Sequence, residues 1–184
     1  MIWSEVICLG DSLTYGARDE YGRSYPAELE QILKERTSEY WFCHNYGING
    51  ETSSDVLRRC WRIFESHPKA KLMTFMIGTN DTKLPMPVKV YRDNLYQTIA
   101  AAHAHDLTVF IGTIPPIRFN TYFLRNKGYA ERYTEVILQL AQELKLHVCD
   151  MSSLGDYLID GVHFSHAGNV HIAHLWADKI LSVS

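Results

Sequence analysis

Short apolar runs alternate with amphipathic stretches along almost the entire chain. Four of the runs, at residues 6–9, 72–77, 107–111 and 146–149, are apolar at all positions or at all but one, which is typical of strands that are buried on both faces. An aromatic-rich run that starts at residue 40 ends at the turn-forming residues 45–47 and predicts a further strand. The pattern therefore predicts five β-strands.

The stretches between these strands repeat their apolar positions with the period of an α-helix. Helices are predicted at residues 25–36, around 56–64, and at 88–105, 129–144 and 165–181, and residues 117–128 form the longest irregular segment. Regular alternation of strand and helix favours a parallel sheet between two layers of helices, because right-handed crossovers place helices on both faces. The predicted fold class is therefore α/β, with a five-stranded parallel sheet.

Composition limits the classes of protein that fit the chain. The 184 residues suit one domain, which we expect to span residues 1–184, and the net charge of −3 implies no general attraction to nucleic acid. No run has the length of a membrane span and the first residues lack the basic segment of a signal peptide, so we expect a cytoplasmic protein. The four cysteines match no zinc motif and are expected to be reduced, buried thiols.

A cluster of small or polar residues, or in one case a pair of prolines, follows each predicted strand. In a parallel sheet these strand ends share one edge, where open α/β sheets bind ligands. Three of the residues suit acyl chemistry: Ser12 as nucleophile, His163 as the base that takes its proton, and Asp160 as the carboxylate that orients the imidazole. The backbone N–H groups of Ser12 and Gly50 and the side-chain amide of Asn80 suit an oxyanion hole.

Each of these residues also has a purely structural interpretation. Ser12 lies in a Gly-Asp-Ser turn of the kind that caps helices, Asn80 can cap a turn, and Gly50 can supply a positive φ. Asp160 precedes a glycine, as in many ordinary turns. The structural interpretations do not explain why all of these residues follow successive strands.

Other chemistry has less support in the sequence. His166, His171 and His174 lie partly on one face of the last predicted helix, but no carboxylate or cysteine completes a ligand set, so no metal is expected. No Walker motif and no G-x-G-x-x-G after a strand occurs, so no nucleotide cofactor is expected. Five cations in predicted loops at the active edge are compatible with an anionic substrate, although we favour scattered surface charge: Arg18, Arg23, Arg118, Arg125 and Lys127.

Four blocks of the sequence resemble those of the SGNH (GDSL-type) hydrolase family and stand in the same order. They are Gly-Asp-Ser-Leu at residues 10–13, Asn-Tyr-Gly-Ile-Asn-Gly-Glu-Thr at 45–52, Gly-Thr-Asn-Asp at 78–81 and Asp-Gly-Val-His at 160–163. Each block alone is weak evidence, whereas four in register are specific. The resemblance implies a three-layer α/β/α, flavodoxin-like fold and the same triad and oxyanion-hole residues as the chemical argument.

The resulting hypothesis is a serine esterase that needs no cofactor and hydrolyses carboxylic esters through an acyl-enzyme. The resemblance implies small acyl esters, O-acetylated sugars or lysophospholipid-like esters as substrates. The expected partner is thus a small-molecule ester, with no nucleic acid and no membrane span. An acyltransferase with the same triad and a non-enzymatic ligand-binding module on the same fold stay open as alternatives, and the sequence leaves the oligomeric state undetermined.

Overall fold

The computed structural model describes residues 3–118 and 120–183, which contain one sheet of five parallel strands in the order β2-β1-β3-β4-β5. The strands are β1 (Trp3–Gly10), β2 (Tyr40–Gly47), β3 (Leu72–Met76), β4 (Thr108–Gly112) and β5 (His147–Cys149). The predicted parallel sheet is confirmed. In the register, Gly10 pairs with Gly47 of β2 and with Met76 of β3, so the ends of the central strands lie level at one edge.

Helices cover both faces of the sheet and confirm the three-layer α/β/α arrangement. One face carries α2 (Tyr25–Thr37) and α7 (His166–Leu181), and the other carries α3 (Ser53–Ser66), α4 (Val88–Ala104) and α6 (Lys127–Leu144). Two one-turn helices, α1 (Ser12–Tyr15) and α5 (Thr121–Leu124), lie in the connections that follow β1 and β4.

The central strand β1 is buried on both faces. Val6 and Cys8 pack beneath α2 and α7, whereas Ile7 and Leu9 pack beneath α3, α4 and α6, and all four have no exposed surface. Burial of an aliphatic side chain of this size contributes roughly 1.5–3 kcal/mol to stability. This two-sided burial is the reason why β1 reads as a continuous apolar run, and it fixes the strand that leads to Ser12.

Polar residues at the helix starts encode where the long helices begin. The N–H of Thr52 donates to Oδ2 of Asp55 at 2.8 Å at the start of α3. The hydroxyl of Ser165 accepts the N–H of Gly168 at 3.2 Å at the start of α7. Pro26 occupies the first turn of α2, where its missing N–H costs nothing.

The connection after β4 is more regular than predicted. The segment 117–128, expected to be irregular, contains α5 and the beginning of α6. The reason is a local cap that the sequence analysis overlooked, because Oδ1 of Asn120 accepts the N–H of Tyr122 at 3.2 Å. Phe119 lies outside the described residues.

Two further elements differ from prediction. A 3-10 helix, Ser152–Tyr157, lies after β5, where no element is predicted. β1 begins at Trp3 and not at residue 6, because Ser4 and Glu5 pair with residues of β2 although they are polar. Polar residues are tolerated there because their side chains lie only partly buried near the end of the sheet.

Two expectations from composition can be compared with the structure. Within residues 3–118 and 120–183, no helix has the length and apolar character needed to cross a bilayer. All four cysteines are free thiols. Cys8, Cys60 and Cys149 are buried as expected, whereas Cys43 of the edge strand β2 is only half-buried.

Candidate active site

Ser12 lies two residues after the end of β1 and is the first residue of the one-turn helix α1. Asp11 caps this turn, since its Oδ1 accepts the N–H of Leu13 at 2.9 Å. Ser12 is 7% exposed, so it is nearly buried and does not lie on a protruding loop. The first N–H groups of a helix have no partner within the helix, which leaves the N–H of Ser12 suited to an incoming oxygen atom.

The side chains of Ser12, His163 and Asp160 form one chain of hydrogen bonds. The hydroxyl oxygen of Ser12 lies 3.0 Å from Nε2 of His163, and Nδ1 of His163 lies 2.8 Å from Oδ2 of Asp160. The other carboxylate oxygen, Oδ1, accepts the N–H groups of Val162 and His163 at 3.1 and 2.8 Å. The carboxylate is thereby fixed in a position to accept a hydrogen bond from a protonated Nδ1 of His163. In that tautomer Nε2 carries no proton and faces the hydroxyl of Ser12 as an acceptor.

The carboxyl group of Asp160 is held in its ionised form. Partial burial works to raise the pKa of Asp160, but hydrogen bonds from the backbone N–H and the ring of His163 outweigh burial and lower the pKa below its ordinary value. The Nε atom of Arg18 lies 3.7 Å from the same carboxylate. An ionised carboxylate is what the stabilisation of an imidazolium requires.

The turn that carries Asp160 and His163 is packed tightly against the connection after β4. Gly161 has a φ of +84°, and a Cβ added there would lie 1.4 Å from the carbonyl oxygen of Arg118. The N–H of Arg118 also donates to the carbonyl oxygen of Gly161 at 2.7 Å. Only glycine fits this position, so the close approach of the two backbones determines where His163 lies.

The residues predicted for the oxyanion hole follow β2 and β3. Gly50 has a φ of +80° and nothing lies within 4 Å of an added Cβ, so the backbone conformation and not a lack of space favours glycine. Asn80 begins a 3-10 helix, and its Nδ2 donates to the carbonyl oxygen of Glu51 at 2.9 Å and to Oδ2 of Asp11 at 3.4 Å. The second contact is long for an N–H···O bond, so this N–H is only weakly engaged.

The structure brings all five predicted site residues to one place. A cavity of about 310 Å³ is lined by Ser12, Gly50, Asn80 and His163, and Asp160 lies behind the imidazole. The cavity has five further lining residues: Ala17, Arg18, Asn49, Lys83 and Phe123.

Arg59 of α3 is a structural part of the site that the sequence analysis missed. Its guanidinium donates to the carbonyl oxygens of Gly10 at 3.1 Å and Tyr46 at 2.8 Å, and it pairs with the carboxylate of Glu51 at 2.6 Å. It therefore ties the ends of β1 and β2 to the turn that contains Gly50. A signal was present, because Arg59 falls three residues after Val56, on the apolar face of an amphipathic helix where a cation needs partners.

Asp11, which caps α1, is a buried acid beneath the site. Burial raises the pKa of Asp11 to about 7; the N–H of Leu13 opposes this, and the carboxylate of Asp81 reinforces it. Asp81 is itself buried, which raises its pKa, although it accepts the hydroxyl of Ser53 at 2.6 Å. Two neighbouring buried acids therefore predict that stability depends on pH in this part of the protein.

Asp11→Asn is expected to stabilise the protein at about pH 8 and to change its stability little at about pH 4. Between the ordinary pKa of 3.8 and about 7 the native state keeps a proton that the unfolded state releases, so the wild type loses stability as pH rises through this range. The loss amounts to at most about 4 kcal/mol, and the asparagine keeps the oxygen that caps α1.

Thermal unfolding at the two pH values measures this effect. The melting temperature of Asp11→Asn should exceed that of the wild type by about 5–15 °C at the higher pH. Asp156→Asn, at an exposed carboxylate, is the control and should show no such difference. An Asp11→Asn melting temperature that differs from the wild type equally at both pH values would rule out the buried acid as the cause.

The histidines of α7 are engaged in ways that do not form a metal site. Nδ1 of His166 lies 3.2 Å from Oδ2 of the buried Asp19, and the ring of His171 stacks on that of Tyr157 at 4.9 Å between centroids. His174 lies beside an arginine of α2. Among the described residues, the group of three that could hold a metal ion consists of Glu5, His44 and His67, which lie away from the active edge.

The cations predicted near the active edge are mostly paired with acids. Arg23 pairs with Glu28, and Arg118 lies 2.7 Å from Asp156, which supports the interpretation as surface charge. Arg125 is exposed, and the side chain of Lys127 lies outside the described part of the chain. Arg18 differs from these, because it lines the cavity. Lys83, which the sequence analysis did not single out, lines the cavity as well.

The family model that matches this chain identifies it as a hydrolase of ester bonds. The chain belongs to the GDSL-like Lipase/Acylhydrolase family, whose model matches residues 8–170. The resemblance inferred from the four sequence blocks is thereby confirmed. No match was found among curated proteins.

Solved structures of esterases share the fold. A carbohydrate acetylesterase from Sinorhizobium meliloti is 19% identical, with a TM-score of 0.81 over 98% of this chain and 100% of that one. The aryl esterase of M. smegmatis is 19% identical, with a TM-score of 0.81 and the same coverage, 98% and 100%. A catalytic mutant of an acetylxylan esterase from Geobacillus stearothermophilus is 21% identical, with a TM-score of 0.81 over 97% and 95%. At these identities the likeness establishes the shared α/β/α fold.

Proposed function

We propose that this chain is a serine esterase that hydrolyses carboxylic esters of small acyl groups through an acyl-enzyme, and that one domain over residues 1–184 carries the activity. One observation carries the proposal. The hydroxyl of Ser12 lies 3.0 Å from Nε2 of His163, whose Nδ1 lies 2.8 Å from the carboxylate of Asp160. This geometry lets a neutral imidazole take the proton of Ser12 during attack.

The reaction begins when Ser12 attacks the ester carbonyl and its proton passes to Nε2 of His163. Asp160 stabilises the imidazolium, and the N–H groups of Ser12 and Gly50 and the amide of Asn80 bind the oxyanion. Collapse of the tetrahedral intermediate breaks the bond to the alkoxide, which takes the proton from His163 and leaves as the alcohol. Water then attacks the acyl-enzyme with the same base and the acid is released.

The size of the cavity supports short acyl groups. Its volume of about 310 Å³ is at the lower end of the range for small-molecule sites. Ala17 and Phe123 supply apolar surface for a methyl or short alkyl group, and Arg18 and Lys83 lie at its wall. The structural likeness to a carbohydrate acetylesterase and an acetylxylan esterase makes O-acetylated sugars the first natural substrates to test, before lysophospholipid-like esters.

Covalent labelling combined with a substrate series tests the proposal. A fluorophosphonate is expected to add once per chain, to the peptide that contains Ser12, and to abolish hydrolysis of p-nitrophenyl acetate. Across p-nitrophenyl esters from acetate to octanoate, kcat/KM should fall with acyl length, and acetate should be released from an acetylated xylo-oligosaccharide. Labelling at another residue, or hydrolysis that survives complete labelling, would contradict the mechanism.

Asn80→Ala is expected to lower kcat for p-nitrophenyl acetate by about a hundredfold to a thousandfold, with KM nearly unchanged. The reason is that an oxyanion donor binds the transition state more strongly than the ground-state carbonyl. Steady-state kinetics on variants with an intact melting transition provide the measurement. An unchanged kcat would exclude the amide of Asn80 from the oxyanion hole and leave the N–H groups of Ser12 and Gly50.

A further inference from the structure

Three side chains that could ligate a metal converge away from the active edge. Glu5 lies in β1, His44 in the edge strand β2 and His67 directly after α3. Nε2 of His44 lies 3.2 Å and Nδ1 of His67 lies 3.7 Å from Oε2 of Glu5, and the three atoms all lie within 4.8 Å of one another. Ligand atoms around a tetrahedral zinc ion, with bonds of about 2.0–2.2 Å, are about 3.3 Å apart. Two of the three separations are thus close to those of a zinc site.

The fold, and not the linear spacing, creates this cluster. Glu5 lies on the same face of β1 as Ile7 and Leu9, two of the residues that pack beneath α3. His44 lies on the corresponding face of β2, because the same alternation places Tyr46 against this part of the core. α3 ends at the residue before His67, which brings the second imidazole onto the first, with ring centroids 4.1 Å apart.

The protonation and exposure of the cluster suit metal binding. The two imidazoles can each present one ring nitrogen to an ion in the neutral form that metal binding requires. The hydroxyl of Tyr46 lies 2.6 Å from Nε2 of His67 and can accept a hydrogen bond from the N–H at that atom. The lone pair of the ring then lies on Nδ1, towards Glu5. The side chains of Glu5, His44 and His67 are 21%, 30% and 17% exposed, so an ion and a water ligand have access.

We propose that Glu5, His44 and His67 form a binding site for a zinc ion, with water completing the coordination. Two imidazoles and a carboxylate favour zinc over Mg²⁺ and Ca²⁺, which prefer oxygen ligands. The ion would link β1, β2 and the end of α3, three elements that pack against one another through non-covalent contacts. The site lies about 16 Å along β1 from Gly10, at about 3.3 Å per residue, so its role is to stabilise the fold and not to take part in ester chemistry.

Calorimetric titration of the metal-free full chain with ZnCl₂ tests the site. We expect one zinc ion per chain, no binding of Mg²⁺ or Ca²⁺, and loss of zinc binding in His44→Gln and His67→Gln. Tyr46→Phe should weaken binding by about tenfold to a hundredfold, because it removes the partner that orients His67. Zinc at about a hundred times its dissociation constant should raise the melting temperature by about 5–10 °C.

Matched variants separate this site from other places where zinc could bind. His103→Gln, at an exposed histidine of α4, and His163→Ala, at the active edge, should both bind zinc as the wild type does. Glu5→Gln keeps the shape of the side chain and should weaken binding even if a histidine variant fails to fold. Absence of saturable binding by the wild type, or binding that persists in Glu5→Gln and both cluster histidine variants, would overturn the proposal. Because the measurement is metal binding, its failure would leave the esterase proposal untouched.

Discussion

Ser12→Ala is expected to lower kcat for p-nitrophenyl acetate by about ten-thousandfold to a millionfold while the fold is retained. The substitution removes the atom that lies 3.0 Å from Nε2 of His163 and that forms the covalent intermediate. Residual catalysis is expected, since the backbone N–H groups of Ser12 and Gly50 and the amide of Asn80 remain in place.

The measurement is steady-state hydrolysis of the p-nitrophenyl series by wild type and variant, with Ser182→Ala as a control at an exposed serine. The control should keep wild-type rates. Equal rates for Ser12→Ala and the wild type would remove Ser12 from the chemistry. If the wild type releases the acyl group only when an alcohol is added as acceptor, the acyltransferase alternative is favoured, and ligand binding without turnover would favour the non-enzymatic module.

Asp160→Asn is expected to lower kcat by about ten-thousandfold, with little change in structure. The oxygen of asparagine can still accept the N–H groups of Val162 and His163, which fixes the orientation of the amide. Its NH₂ group then faces Nδ1 of His163, where the carboxylate oxygen lies at 2.8 Å in the wild type. The imidazole must take the tautomer with its proton on Nε2, and in that form it cannot accept the proton of Ser12.

The measurement is steady-state kinetics of Asp160→Asn, with Asp156→Asn as the matched control. Both aspartates precede His163 by only a few residues, but Asp156 lies on the surface, where it pairs with Arg118. Asp156→Asn should retain activity within about twofold, as expected for an exposed ion pair. A loss of less than about tenfold in Asp160→Asn would show that the carboxylate is not needed to orient the base, contrary to the mechanism proposed for this site.

The different pKa values of Asp11 and Asp160 could not be predicted from the sequence. Asp11 and Asp160 are both aspartates in polar turns, yet burial raises the pKa of the first to about 7 and hydrogen bonds from His163 lower that of the second. A turn pattern predicts the conformation of either segment, but the protonation behaviour depends on which atoms pack around each carboxyl group in the folded chain.

Errors in the sequence analysis fall mainly in connections and at the ends of strands. The cap at Asn120 converted part of a predicted irregular segment into α5, and Ser4 and Glu5 extend β1 although they are polar. In both cases a local or pairwise contact outweighed average propensity. Lys83 could not be assigned to the site, since its role depends on where its loop lies relative to the cavity. The position of Arg59 on an apolar helix face indicates that it needs partners, but the partners themselves depend on where α3 lies.

Local sequence patterns were sufficient to predict the α/β architecture, the parallel sheet and the kinds of side chain that follow its strands. This was possible because burial on both faces leaves continuous apolar runs in the strands, and because parallel strands all end at the same edge. Which groups contact one another depends on the tertiary structure. Ser12 and His163 are 151 residues apart in the chain, and Glu5, His44 and His67 come from separate elements. Such contacts depend on strand register and on the path of the loops, which local sequence patterns do not encode.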